Sequence, residues 1–160
     1  MTDRHHHPKR PHHDGPPGGA EPAQPLGDAQ RRRFDRLLEA ILERLPAQVQ
    51  DVLEEVPLHV MDQPDRAILE DLGIGPDEAP RAVEELCGLH TGFMLTERPL
   101  ELDAILPEQI HLFRRGIARM AGGWQAPDET LAEQIRITLL HEIGHHFGLD
   151  EDDLDRLGYA

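Results

Sequence analysis

The chain predicts one small domain of helices and strands, on three observations. Its 160 residues suffice for a single core and little else. An apolar stripe at helical spacing stands near the start and another at the end, with short apolar runs of strand length between them. Aromatic residues make up only 4% of the chain, with one Trp and one Tyr, so the core has to be built from Leu, Ile, Val and Ala.

Residues 1–28 are expected to form a disordered tail and residues 29–160 the folded domain. The tail holds six prolines, four glycines and five histidines (His5, His6, His7, His12 and His13), with Leu26 its one large aliphatic residue apart from Met1. Such a composition buries too little apolar surface to offset the entropy of ordering. The histidines are read as incidental metal affinity.

From Gln30 the pattern turns helical: Phe34, Leu37, Leu38, Ile41, Leu42 and Leu45 recur at steps of three and four. Pro46 ends or resets this helix, and Val49, Val52, Leu53 and Val56 continue it as a short second one. Residues 57–61 read as a strand. Residues 66–81 contain Gly73, Gly75, Pro76 and Pro80 and read as a loop with at most one helical turn. Residues 86–94, interrupted by Gly88 and Gly92, and residues 110–113 are two further strand candidates. The last helix is expected over 128–147. Pro127, Asp128 and Glu129 suit its start, Thr130 with Glu133 fits a capping box, and Gly148 suits its end. Leu131, Ile135, Leu139 and Ile143 form its apolar line, with Leu140 and Phe147 beside them.

The net charge is −15, and residues 34–160 alone carry 10 Lys/Arg against 27 Asp/Glu, or −17. That balance argues against nucleic acid or an anionic membrane as the partner. No apolar run approaches the ~20 residues a bilayer requires, and the N-terminus lacks a secretory apolar region. Cys87 is the one cysteine, so no internal disulfide can form. A cytoplasmic monomer is the expectation.

The chemistry concentrates in His141-Glu142-Ile143-Gly144-His145, followed by Gly148 and Glu151. Histidines at i and i+4 project from one helical face with Cβ atoms roughly 6 Å apart, close enough for both imidazoles to reach one Zn²⁺. Glu142 sits about 100° further round the helix, beside the metal's open position, where it can take a proton from a zinc-activated water. A left-handed turn at Gly148 would return the chain so that a carboxylate three residues on approaches the same ion. The spacing selects Glu151, with Asp150 and Asp152 as alternatives. HExxH arises by chance in roughly 0.07 of such sequences, and with Gly148 and a carboxylate at 151 in about 0.001, so two incidental surface histidines are the weaker reading.

Other residues carry less. His146 points away from the shared face and reads as a supporting or surface group. His59, His90 and His111 read as half-buried strand residues, and Cys87 as a core thiol. Tyr159 and Arg114 are candidate donors to an oxyanion.

The stretch HEIGHHFGLDEDDL resembles the signature of the minimal zincin-like metallopeptidases, small bacterial proteins most frequent in actinobacteria. Residues 86–98 resemble the family's Gly-rich strand and Leu-Thr-x-Arg turn, residues 106–114 its edge strand, and residues 34–60 its opening helix and first strand. The resemblance covers roughly residues 30–160. It implies an α+β, zincin-like fold in which a small mixed β-sheet packs against an N-terminal helix and a C-terminal zinc-binding helix. It also implies an edge strand that holds a peptide in extended form. Carried over, His141 and His145 match the zinc ligands and Glu142 the general base. Glu151 stands where the family generally has aspartate, and no Met-turn follows it.

The expected function is zinc-dependent hydrolysis of a peptide or protein substrate, with one Zn²⁺ per chain held by His141, His145 and Glu151. One alternative is a zinc-stabilised binding protein of the same fold without turnover. Another is a zinc hydrolase of non-peptide substrates, for which the acidic charge disfavours RNA.

Overall fold

A computed structural model describes residues 23–92 and 108–157. Helix α1 (Asp28–Arg44) turns Phe34 and Leu38 inward, with Leu37, Ile41 and Leu42 packed alongside. Pro46, which has no amide to donate, separates it from α2 (Ala47–Glu55), whose Val52 is buried. Of the expected tail, residues 1–22 lie outside the described residues. Leu26 is buried, and Arg115 donates to the Gln24 carbonyl, so the segment leading into α1 lies against the domain.

The sheet has three strands in the order β1 (Leu58–Met61), β3 (Gln109–Phe113), β2 (Gly88–Thr91). Strand β1 runs parallel to β3, with Leu58 opposite Ile110 and Met61 opposite Phe113. Strand β2 runs antiparallel, with Gly88 opposite Leu112 and Thr91 opposite Gln109. The stretch 110–113 is therefore the centre of the sheet and not the edge strand that the resemblance implied. Its composition explains the placement: Ile110, Leu112 and Phe113 are completely buried, whereas every residue of β2 is only half-buried.

Two helices stand where a loop was expected. In α3 (Arg66–Asp71) the Asp65 carboxylate accepts the Ile68 amide at 2.9 Å, supplying the cap that a short helix needs, and Leu69 is buried. In α4 (Ala79–Glu85) Pro80 lies in the first turn, where a missing amide is harmless. A third helix, α5 (Arg114–Met120), follows β3 directly in a stretch without helical periodicity. It is too short to show any, and it is held by burial of Gly116, Ile117 and Ala118.

The last long helix, α6 (Asp128–His146), agrees with expectation in extent but not in its cap. Pro127 is the N-cap, Thr130 lies inside the helix, and Glu133 pairs with Arg136 at 2.8 Å. Leu131, Ile135, Leu139 and Ile143 form one buried line against α1 and the sheet, while Phe147 is exposed. Arg33 ties α1 to the start of α6 through Asp128 and the carbonyls of Trp124 and Ala126, at 2.5–2.6 Å. Asp62, just after β1, accepts from Arg31 of α1 and Arg114 of α5. Among the described residues no helix is long and apolar enough to cross a membrane.

Candidate metal centre

The core line occupies one face of α6, and its C-terminal turns place His141 and His145 on another. The helix then stops at a left-handed glycine: Gly148 has φ +77, its amide donates to the His145 carbonyl at 3.0 Å, and the Leu149 amide donates to the Gly144 carbonyl at 3.1 Å. These two bonds satisfy carbonyls that the helix leaves without partners and reverse the chain. The reversal brings the Leu149 carbonyl to 3.2 Å from His145 Nδ1. A proton on Nδ1 donates there, which leaves the Nε2 lone pair free for a metal.

Helix α7 (Glu151–Leu157) begins immediately. Asp150 is committed to this start: its carboxylate accepts the Asp153 amide at 2.8 Å, while Asp153 accepts the Asp150 amide at 3.2 Å. Glu151 is thereby turned toward the histidines. His141 Nε2 and His145 Nε2 are 3.1 Å apart, and Glu151 Oε1 lies 3.3 Å from the first and 3.1 Å from the second. Tetrahedral donors on one zinc at about 2.0–2.1 Å stand about 3.3–3.4 Å from one another, so this near-equilateral triangle of donors has the size to hold such an ion.

Glu142 lies near this set, within electrostatic reach of His141 and Glu151, and its side chain is buried. Burial and the nearby Glu151 carboxylate push its pKa up to about 7, against the opposing pull of His141 and a hydrogen bond from the His90 backbone. That bond follows from strand alternation. The Cys87 carbonyl accepts from the Phe113 amide, so Cys87, Leu89 and Thr91 address β3, while Gly88 and His90 address the opposite edge, which pairs with no strand among the described residues. At Gly88 a Cβ would lie 3.0 Å from Glu142 Cγ and Oε1 and from Thr138 Cγ2, so the strand approaches Glu142 this closely only with glycine there. A cavity of about 240 Å³ opens beside it, lined among others by Cys87, Met120, Ile137, Thr138, His141 and Glu142. Burial, reinforced by Glu142, pushes the Cys87 thiol up to about 11, so it is a neutral lining group.

The remaining expectations divide. Arg114 is engaged by Asp35 and Asp62 and lies over the Phe34 ring at 5.8 Å, a structural assignment rather than an oxyanion donor. Tyr159 lies outside the described residues. His59 and His111 stack on each other at 5.1 Å. His146 is neither free nor at the surface: it is buried and hydrogen-bonded to Glu108, with His90 nearby. No motif or spacing in the sequence singles out Glu108. The signal available was Gly88 and Gly92 interrupting a strand pattern, which marks a close approach of another group but not which one.

With this geometry in hand, the chain matches the zincin-like metallopeptidase family over residues 53–159. It belongs to that family, and its α+β architecture is the family's. Comparison with curated proteins finds no match.

Proposed function

We propose that the protein is a zinc-dependent peptidase in which His141, His145 and Glu151 hold one zinc ion and Glu142 is the general base. The observation that carries the reading is the triangle of three donor atoms at 3.1–3.3 Å with the buried Glu142 carboxylate near it. Zinc, when bound, supplies Lewis-acid polarisation of the scissile carbonyl and acidifies water.

The chain's own residues do the rest. Glu142, oriented by the His90 amide and packed under Gly88, accepts a proton from the attacking water and delivers it to the leaving amine. The outward edge of β2 offers the Gly88 backbone to an extended peptide, which would add as a strand. The cavity under Met120 and Ile137 receives an apolar side chain of that peptide. The acidic surface disfavours acidic substrates.

The test is digestion of a broad peptide library by the zinc-loaded full-length protein and by Glu142→Gln. Cleavage that Glu142→Gln abolishes while its zinc content is unchanged supports the reading; equal cleavage by the variant removes Glu142 from its role. One observation favours a second reading. Glu151 opens a separate short helix, so an ion here would also tie α7 to α6. A protein using zinc only in this way would melt on chelation and cleave no peptide.

A further inference from the structure

The second histidine cluster is built from three elements. His146 is the residue after His145 on α6, His90 lies on β2, and Glu108 immediately precedes β3. Their side chains are 6, 5 and 10% exposed. His146 Nδ1 is in hydrogen-bond contact with Glu108 Oε2, and His90 Nε2 stands 3.9 Å from the same oxygen. That distance is too long for a hydrogen bond, and His90 Nε2 is a buried nitrogen with no hydrogen-bond partner. A buried polar atom left in this state is costly. One donor atom from each residue lies within 4.8 Å of the other two. The chain is also shaped around the glutamate: at Gly92 (φ +99) a Cβ would meet Glu108 Cα at 2.7 Å.

We infer that His90, Glu108 and His146 form a second site, distinct from the His141/His145/Glu151 set, for a divalent first-row transition ion such as Zn²⁺ or Co²⁺. Two imidazoles and one carboxylate suit such an ion and not Mg²⁺ or Ca²⁺, which take oxygen ligands. Donors sharing a tetrahedral ion stand about 3.3 Å apart, so the His90 ring has about 0.6 Å to close toward Glu108 and the His146–Glu108 hydrogen-bond contact has to open to admit the ion. Burial holds the His90 imidazole below its ordinary pKa, in the neutral form that ligates. The ion ties β2 and the entry of β3 to the last turn of α6. Through the His90 backbone it also steadies the amide that orients Glu142. The site is structural and stands independently of the peptidase reading.

The test uses the full-length protein with its five tail histidines replaced by glutamine, titrated with Co²⁺ and followed by dialysis and visible absorption. The expected uptake is about two equivalents per chain, falling to about one in Glu108→Gln, in His90→Gln and, separately, in His145→Ala. The ion that each variant retains reports that it has folded. Uptake of one equivalent that His145→Ala abolishes overturns the second site and leaves the cluster a hydrogen-bonded strut. Uptake of one equivalent that persists in His145→Ala and is lost in Glu108→Gln supports the second site and removes the first. No uptake at all overturns both.

Discussion

Two clusters, each of two imidazoles and a glutamate, draw on the same end of α6 and differ in their access to water. In the first, the His141 and His145 side chains are 19 and 18% exposed and Glu151 is 67% exposed, with a cavity alongside. In the second, no side chain exceeds 10%. His145 and His146 are adjacent, but about 100° of rotation per residue turns one toward the open side and the other under β2 and Glu108. The lesson concerns what each set can do. An open set keeps a position for a reactant beside a base, whereas an enclosed set can only hold its parts together. The third member differs in the same sense: Glu151 comes from the neighbouring turn, while Glu108 is 38 residues from His146 in sequence.

The sharpest way to break this contrast is Glu142→Gln. Loss of the proposed general base is expected to lower the proposed peptide hydrolysis by about 10²–10⁴-fold without loss of metal, measured by peptide turnover and elemental analysis on one sample. Next in size is His145→Ala. An ion at one hundred times its dissociation constant stabilises by about 2.7 kcal/mol, so the variant should lose that increment in thermal melts with and without a chelator. A chelator that still lowers the variant's melting point by the full wild-type amount would show that the stabilising ion sits in the enclosed cluster. A smaller effect is expected of Gly88→Ala. Its new Cβ, 3.0 Å from Glu142 Cγ and Oε1, displaces the carboxylate. The expectation is a kcat lower by about tenfold, equivalent to about 1.4 kcal/mol, with metal content unchanged.

The smallest effect serves as a control remote from both clusters. Hydrogen bonds from Arg31, then the charges of Arg31 and Arg114, hold the Asp62 carboxyl below its ordinary value of 3.8, against the opposing effect of partial burial. A group lowered on folding contributes stability above its unfolded pKa and loses it as pH falls through the folded value. Asp62→Asn should therefore cost about 1 kcal/mol at neutral pH, given the partial exposure of these pairs. The deficit should begin to shrink as pH drops below 3.8 and vanish once pH is below the lowered folded value, as denaturant titrations at several pH values would show, and metal uptake should not change. A deficit that persists at low pH would assign the effect to packing instead of charge.

Much of this arrangement is legible in the chain itself. The stripe from Phe34 to Leu45 is helical because its spacing admits little else, and the line from Leu131 to Ile143 lies in the core for the same reason. The missed helices are short ones. α3 depends on one carboxylate cap, and α5 buries Gly116 and Ala118, residues that no hydrophobic pattern marks. The apolar run 110–113 says that it is buried, but being buried does not distinguish a centre from an edge.

By itself the sequence determined the local chemistry at the end of α6. Histidines at i and i+4 are neighbours on any helix, and Gly148 can turn left-handed where other residues are strained. The tertiary structure alone decided that β3 is central, that the His90 amide orients Glu142, and that His90 and His146 meet at Glu108. Those relations join residues far apart along the chain. They arise when β2 settles against α6 through Gly88, and contacts of that kind leave no periodic trace in the sequence.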